Sequence, residues 1–155
     1  MSVVKKVPAI TVTCETGGEH AGFLERYLRA ACRHVEKAPA TISVAIVDAA
    51  TMSRLHEQFL GKRESTDVLS FEVERDAAGK IVEGEIVMCL PVAEEEARGR
   101  GHPVQHELLL YAVHGLLHLS GYDDVDEAAS KRMHAMEDQI LRRIKIGPVF
   151  DPVGE

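Results

Sequence analysis

Apolar residues alternate with threonines at Ile10, Val12 and Cys14, and this period of two predicts a first strand. The period then lengthens. Leu24, Leu28, Ala31 and Val35 recur at helical spacing and predict a helix over 19–37. Ile42 to Val47 is an apolar run, as expected of a strand covered on both faces. Asp48 is placed to cap a helix carrying Met52, Leu55 and Phe59, with Gly61 as its stop. Val68 to Val73 and Glu85 to Cys89 read as the third and fourth strands, and the polar stretch from Arg75 to Lys80 between them suits a hairpin. Pro91 suits the first turn of a short helix ending near Gly99.

Pro103 opens the next helix, which runs to about Leu119 and is apolar nearly all round, so it belongs at the centre of the fold. Asp126 can cap a last helix in which Ala129, Met133, Met136, Ile140 and Ile144 form one stripe, ended by Gly147 and Pro148. The elements add up to an α+β domain, a four-stranded mixed sheet packed with about five helices. The first three strands are joined by helices and are expected to be parallel, with the fourth antiparallel to the third. One domain over 1–155 is expected, with its ordered core at about 8–147.

Composition narrows the function. A net charge of −7 argues against broad coating of nucleic acid, which needs a basic footprint, and leaves room only for a local basic cleft. Basic residues cluster at Lys62–Arg63, Arg98–Arg100 and Arg142–Arg143–Lys145. The longest uninterrupted apolar stretch, Leu108 to Val113, is far too short to span a bilayer. Val7 to Cys14 is too brief for a signal-peptide core, so no membrane partner and a cytoplasmic location are expected. Cys14, Cys32 and Cys89 are odd in number and lack any C-x-x-C pair, which fits a reducing compartment. Cys32 and Cys89 sit in apolar patterns as small core residues.

The chemistry concentrates between His114 and Asp124. His114 and His118 lie four apart on the central helix and project from one face, where a single ion can be gripped. Gly121 stops the helix and turns the chain, which can bring Asp124 to the same ion. Burying two imidazoles without a partner costs a few kcal/mol, and a metal removes that cost. Two imidazoles and a carboxylate favour one zinc ion, with the fourth position left open as in catalytic sites. The alternative for Asp124 is a turn or capping role, with Asp123 or a water completing the shell. The layout begins like the metzincin motif H-E-x-x-H, but Gly115 replaces the glutamate that serves as general base. Glycine takes no proton, and peptidase chemistry by that route is excluded.

The run His114-Gly-Leu-Leu-His-Leu-Ser-Gly-Tyr-Asp123 is similar to the H-G-x-L-H-L-x-G-Y-D-H motif of the YbeY family, bacterial rRNA-maturation endoribonucleases. Thr66-Asp-Val-Leu-Ser-Phe71 resembles that family's P-T-[DN]-V-L-S-F strand, and Gly84-Glu-Ile-Val-Met-Cys89 its G-D-[IL]-V-I-C strand. Met133, Met136 and Glu137 sit where its last helix has an M…E pattern. The resemblance implies a zinc-dependent single-strand endoribonuclease that matures the 3′ end of the small-subunit RNA. Its partners would be rRNA precursor and the ribosomal small subunit, with no DNA, and its role would extend to ribosome quality control.

Two positions depart from the family pattern. Asp124 stands where the family has a third histidine, and its negative charge would make zinc acidify its water less. Leu60 stands where the family has an arginine facing the active site, and Ser65 replaces a proline. Lys62 or Arg63 could supply the missing cation to a phosphorane-like transition state. Two other readings stay open: a ribosome-associated metal-binding factor with weak or no nuclease activity, and a metal hydrolase acting on a small phosphoester or amide. Glu107, seven residues before His114, reads as a helix-surface acid, and His102, His106 and His134 as surface or capping residues. Ser70 and Thr66 read as strand polar groups, with no serine triad.

Overall fold

The computed structural model describes residues 7–60 and 67–147. In chain order these form β1 (Ala9–Cys14), α1 (Ala21–Cys32), β2 (Thr41–Val47), α2 (Ala49–Leu60), β3 (Val68–Arg75), β4 (Ile81–Cys89), α3 (Leu90–Arg100), α4 (Val104–Leu119) and α5 (Glu127–Arg143). The strands make one sheet in the order β1-β2-β4-β3, an α+β mixed sheet with five α-helices. The first helix is shorter than its apolar spacing suggests. A 3-10 turn at Gly18–His20 precedes it, and beyond Cys32 the chain closes with tight turns before Lys37 adopts a φ of 63° that no helix continues. Likewise α3 ends at Gly101, whose φ is 72°, and Gly99 lies inside it.

Three strands are parallel and one runs against them, but the odd strand is β3, not β4. β1 pairs in parallel with β2, β2 pairs in parallel with β4, and only β3 is antiparallel to its neighbour. Burial explains the order. Ile86, Val87, Met88 and Cys89 of β4 are covered on both faces, which requires a central position. Glu72, Val73, Glu74 and Arg75 of β3 are exposed, which only an edge strand tolerates. Asp76 closes the hairpin by accepting from the backbone N–H of Ala78 and Lys80 at 2.9 and 3.0 Å.

Two apolar layers flank the sheet. Ile42, Val44, Ile46, Ile86 and Met88 pack with α1, α4 and α5, while Val47, Val87, Cys89 and Leu69 pack with Met52 of α2. α4 is buried along nearly its whole length, as its all-round apolar character requires. It lies close on β4 because both sides of the contact are glycine. A Cβ on Gly115 would sit 2.9 Å from the Ile86 side chain, and one on Gly84 would sit 2.6 Å from that of Leu119. Gly115 therefore serves the helix–sheet approach, and that approach fixes the depth at which His114 and His118 stand.

Candidate metal centre

Gly121 ends α4 in the way that aims the following loop at the helix. Its φ is 104°, and the N–H of Tyr122 reaches back to the Leu117 carbonyl at 3.0 Å, with Ser120 bonding Leu116 at 3.0 Å. This αL stop reverses the chain within one turn. Asp126 then accepts from the Ala129 N–H at 2.7 Å and caps α5, so the capping role belongs to Asp126 and leaves Asp124 free to face the histidines.

Three donor atoms converge there. The Nε2 atoms of His114 and His118 are 3.2 Å apart. Asp124 Oδ2 is 3.6 Å from His114 Nε2, and Oδ1 is 3.4 Å from His118 Nε2. Ligands bound tetrahedrally at about 2.0–2.1 Å lie about 3.3 Å from one another, so this triangle has the size of three corners of a metal tetrahedron. Among the described residues this is the group of histidine, cysteine and acidic side chains that could hold a metal ion. The site also sits at the C-terminal end of α4, where the helix dipole favours positive charge. Asp123 is exposed and lies outside the cluster.

Behind His114 stands Glu137, 1% exposed, whose Oε2 takes the Nδ1 hydrogen bond of that histidine. Its other oxygen accepts from His134 Nδ1 at 2.9 Å. A carboxylate at Nδ1 holds the proton on that side, so the Nε2 lone pair faces Asp124 and His118. Burial opposes charge on His114, but the hydrogen bond and charge of Glu137, then Asp124, win and raise its pKa. His118 moves the other way, lowered first by burial and then by the neighbouring His114.

Glu137 is the functional group that the apolar pattern passed over. It lies on the buried face of α5 with Met133, Ile140 and Leu141, whereas Met136 is only half-buried. A carboxylate inside an apolar stripe was the signal. Glu107 corrects the sequence expectation more sharply: it is fully buried, not a surface acid. It accepts from Arg100 Nη1 at 3.0 Å and from His102 Nε2 at 2.8 Å, a built-in partner set that a carboxylate on an all-apolar helix requires. His102 is thus a half-buried donor to Glu107, not a surface residue. His106 is half-buried against Phe23, its ring centroid 6.1 Å away, and His134 is half-buried on Glu137. Lys62, Arg63, Ser65, Thr66 and the side chain of Leu60 lie outside the described residues.

An α+β domain with a His-His-Asp triangle backed by a buried carboxylate defines a candidate metal hydrolase. The sequence comparisons place the chain more narrowly. The family described as Endoribonuclease YbeY matches residues 15–145, and the chain belongs to that family. The endoribonuclease YbeY of Thiobacillus denitrificans is 40% identical over 123 residues, covering 79% of this chain and 80% of the relative. That of Geobacillus thermodenitrificans is 36% identical over 149 residues, covering 89% and 95%. The solution structure of TM1509 from Thermotoga maritima matches with a TM-score of 0.64 at 28% identity, covering 87% of this chain and 88% of that one.

Proposed function

We propose that this chain is a zinc-dependent endoribonuclease that hydrolyses single-stranded rRNA precursor, with His114, His118 and Asp124 as the ligands of one ion. The observation that carries the reading is the convergence of three donor atoms, supported by Glu137, in a chain of a family whose members are named endoribonucleases. A divalent ion bound there supplies Lewis acidity to a phosphoryl group. The protein's own part is positional. Glu137 fixes the tautomer of His114, Gly121 delivers Asp124, and Gly115 sets the depth of both histidines. Gly115 offers no proton acceptor, and Glu107 is sealed from solvent by Arg100 and His102, so neither is the base. Lys62 and Arg63 are the candidate cations for the transition state. The whole of 1–155 acts as one domain in the cytoplasm, on the 3′ end of small-subunit RNA and in ribosome quality control. No described helix is long and apolar enough to cross a membrane.

The test pairs metal analysis with cleavage. Purified protein should carry about one zinc per chain, lose most of it on Asp124→Ala, and cut precursor rRNA fragments in a way that chelation and His118→Ala abolish. Zinc retained by Asp124→Ala would remove that residue from the shell. Metal bound without cleavage would favour the second reading, a ribosome-associated metal-binding factor, which the extra negative charge of Asp124 beside the ion supports.

A further inference from the structure

Two clefts open beside His114, and they differ in charge. One, of 320 Å³, is lined by Asp67, Glu96, Glu107 and Glu137, with Arg100 as its cation. The other, of 400 Å³, runs along the edge strand β3 and is lined by Phe59, Ser70, Phe71, His114, Gly115 and His118. No acidic side chain and no lysine or arginine lines this second groove among the described residues. With four carboxylates to one arginine in the first wall and no carboxylate among the described residues of the second, the second groove is the more favourable for a polyanionic strand. At the second groove Phe59 is 55% exposed, an uncommon state for phenylalanine, and its ring lies 4.9 Å from that of Phe71 at a 54° tilt.

We infer that Phe59, backed by Phe71, is a stacking platform for one unpaired nucleobase of the RNA strand whose phosphate reaches His114 and His118. This rests on the endoribonuclease reading. Single-strand binders combine charge contacts to the backbone with bases stacked on aromatic side chains, and an aromatic face holds a base regardless of sequence. The chain's net charge of −7 makes such a hold more necessary here. The occupant is fixed by the opposite wall, because anything seated on Phe59 in this groove also lies against the candidate ligands. Phe71 holds the platform from the sheet, where it packs against the buried cluster that includes Met52, Leu69 and Val87. Phe59 is thus a substrate-positioning residue in the groove that the candidate ligands also line.

Stopped-flow fluorescence tests this before any cleavage occurs. A short unstructured RNA carries 2-aminopurine, moved one position at a time, and is mixed with the full-length zinc-loaded protein. Wild type and Phe59→Tyr should quench the probe at one or two adjacent positions only. Phe59→Leu should lose that quenching and bind the RNA about tenfold more weakly. Its cleavage KM should rise with kcat nearly unchanged, since stacking serves ground and transition states alike. Equal quenching and affinity in Phe59→Leu would overturn the platform, as would quenching at no position in wild type. A change in sedimentation with unchanged RNA binding would assign the groove to a second copy or a peptide, and would also overturn it. Absence of cleavage in wild type tells against the endoribonuclease reading alone, because the quenching is still read.

Discussion

Replacing Glu137 by glutamine removes one negative charge from behind His114 while keeping the size of the side chain. The carboxylate is buried and serves two histidines at once. A glutamine has one carbonyl acceptor, so one of the two imidazoles must face an amide NH2 instead. Exchanging a charge-assisted bond of about 1.5–3 kcal/mol for a neutral one of about 0.5–1.5 leaves a deficit of about 1–2 kcal/mol. That corresponds to about a 5- to 30-fold loss of zinc affinity, within the reach of the 10- to 100-fold typical of such supporting groups. Competition against a chromophoric chelator at pH 7.5 measures it directly. The penalty should shrink at lower pH. Glu137 raises the pKa of His114 against the pull of burial, so in the variant fewer protons compete for the ligand nitrogen. Glu107→Gln is the control, because that carboxylate is equally buried but contacts Arg100 and His102. Wild-type affinity in Glu137→Gln, or an equal loss in Glu107→Gln, would refute the argument.

Two further outcomes follow from the same geometry. Gly115→Ala places a Cβ against Ile86 at 2.9 Å, and the overpacking should cost about 1–3 kcal/mol in thermal or urea unfolding; Ile86→Val in the same chain should recover part of it, and no recovery would remove the steric account. Zinc affinity should fall as pH falls, because ligation needs neutral imidazoles. The decline should begin above the usual histidine value of 6.5, since His114 is raised, whereas lowered His118 resists protonation until more acid conditions. A chelator titration from pH 8.5 to 5.5 reads the onset, and a flat profile down to pH 6 would contradict the assigned shift of His114.

Local pattern carried most of the elements, because each follows from rules that act over a few residues. The helix from Val104 to Leu119, the stop at Gly121 and the cap at Asp126 are all set by neighbours in sequence. The convergence of the three candidate ligands was legible for the same reason: they lie within eleven positions, two on one helical turn and one just past a glycine. Even so, the histidine pair and the open groove gained their meaning only in place. β3 rather than β4 became the odd strand because sheet order answers to burial on both faces, which no single strand's period encodes.

Sequence by itself fixed the family, the α+β class and the ligands proposed for the ion, since those reside in residue type and short spacing. Tertiary structure alone decided which acids are buried and what they hold. Glu107 and Glu137 look alike as letters on helices, yet one is clamped by Arg100 and His102 and the other orients His114. Such contacts join residues up to 23 positions apart, and their energy depends on a desolvated setting that only the packed fold creates.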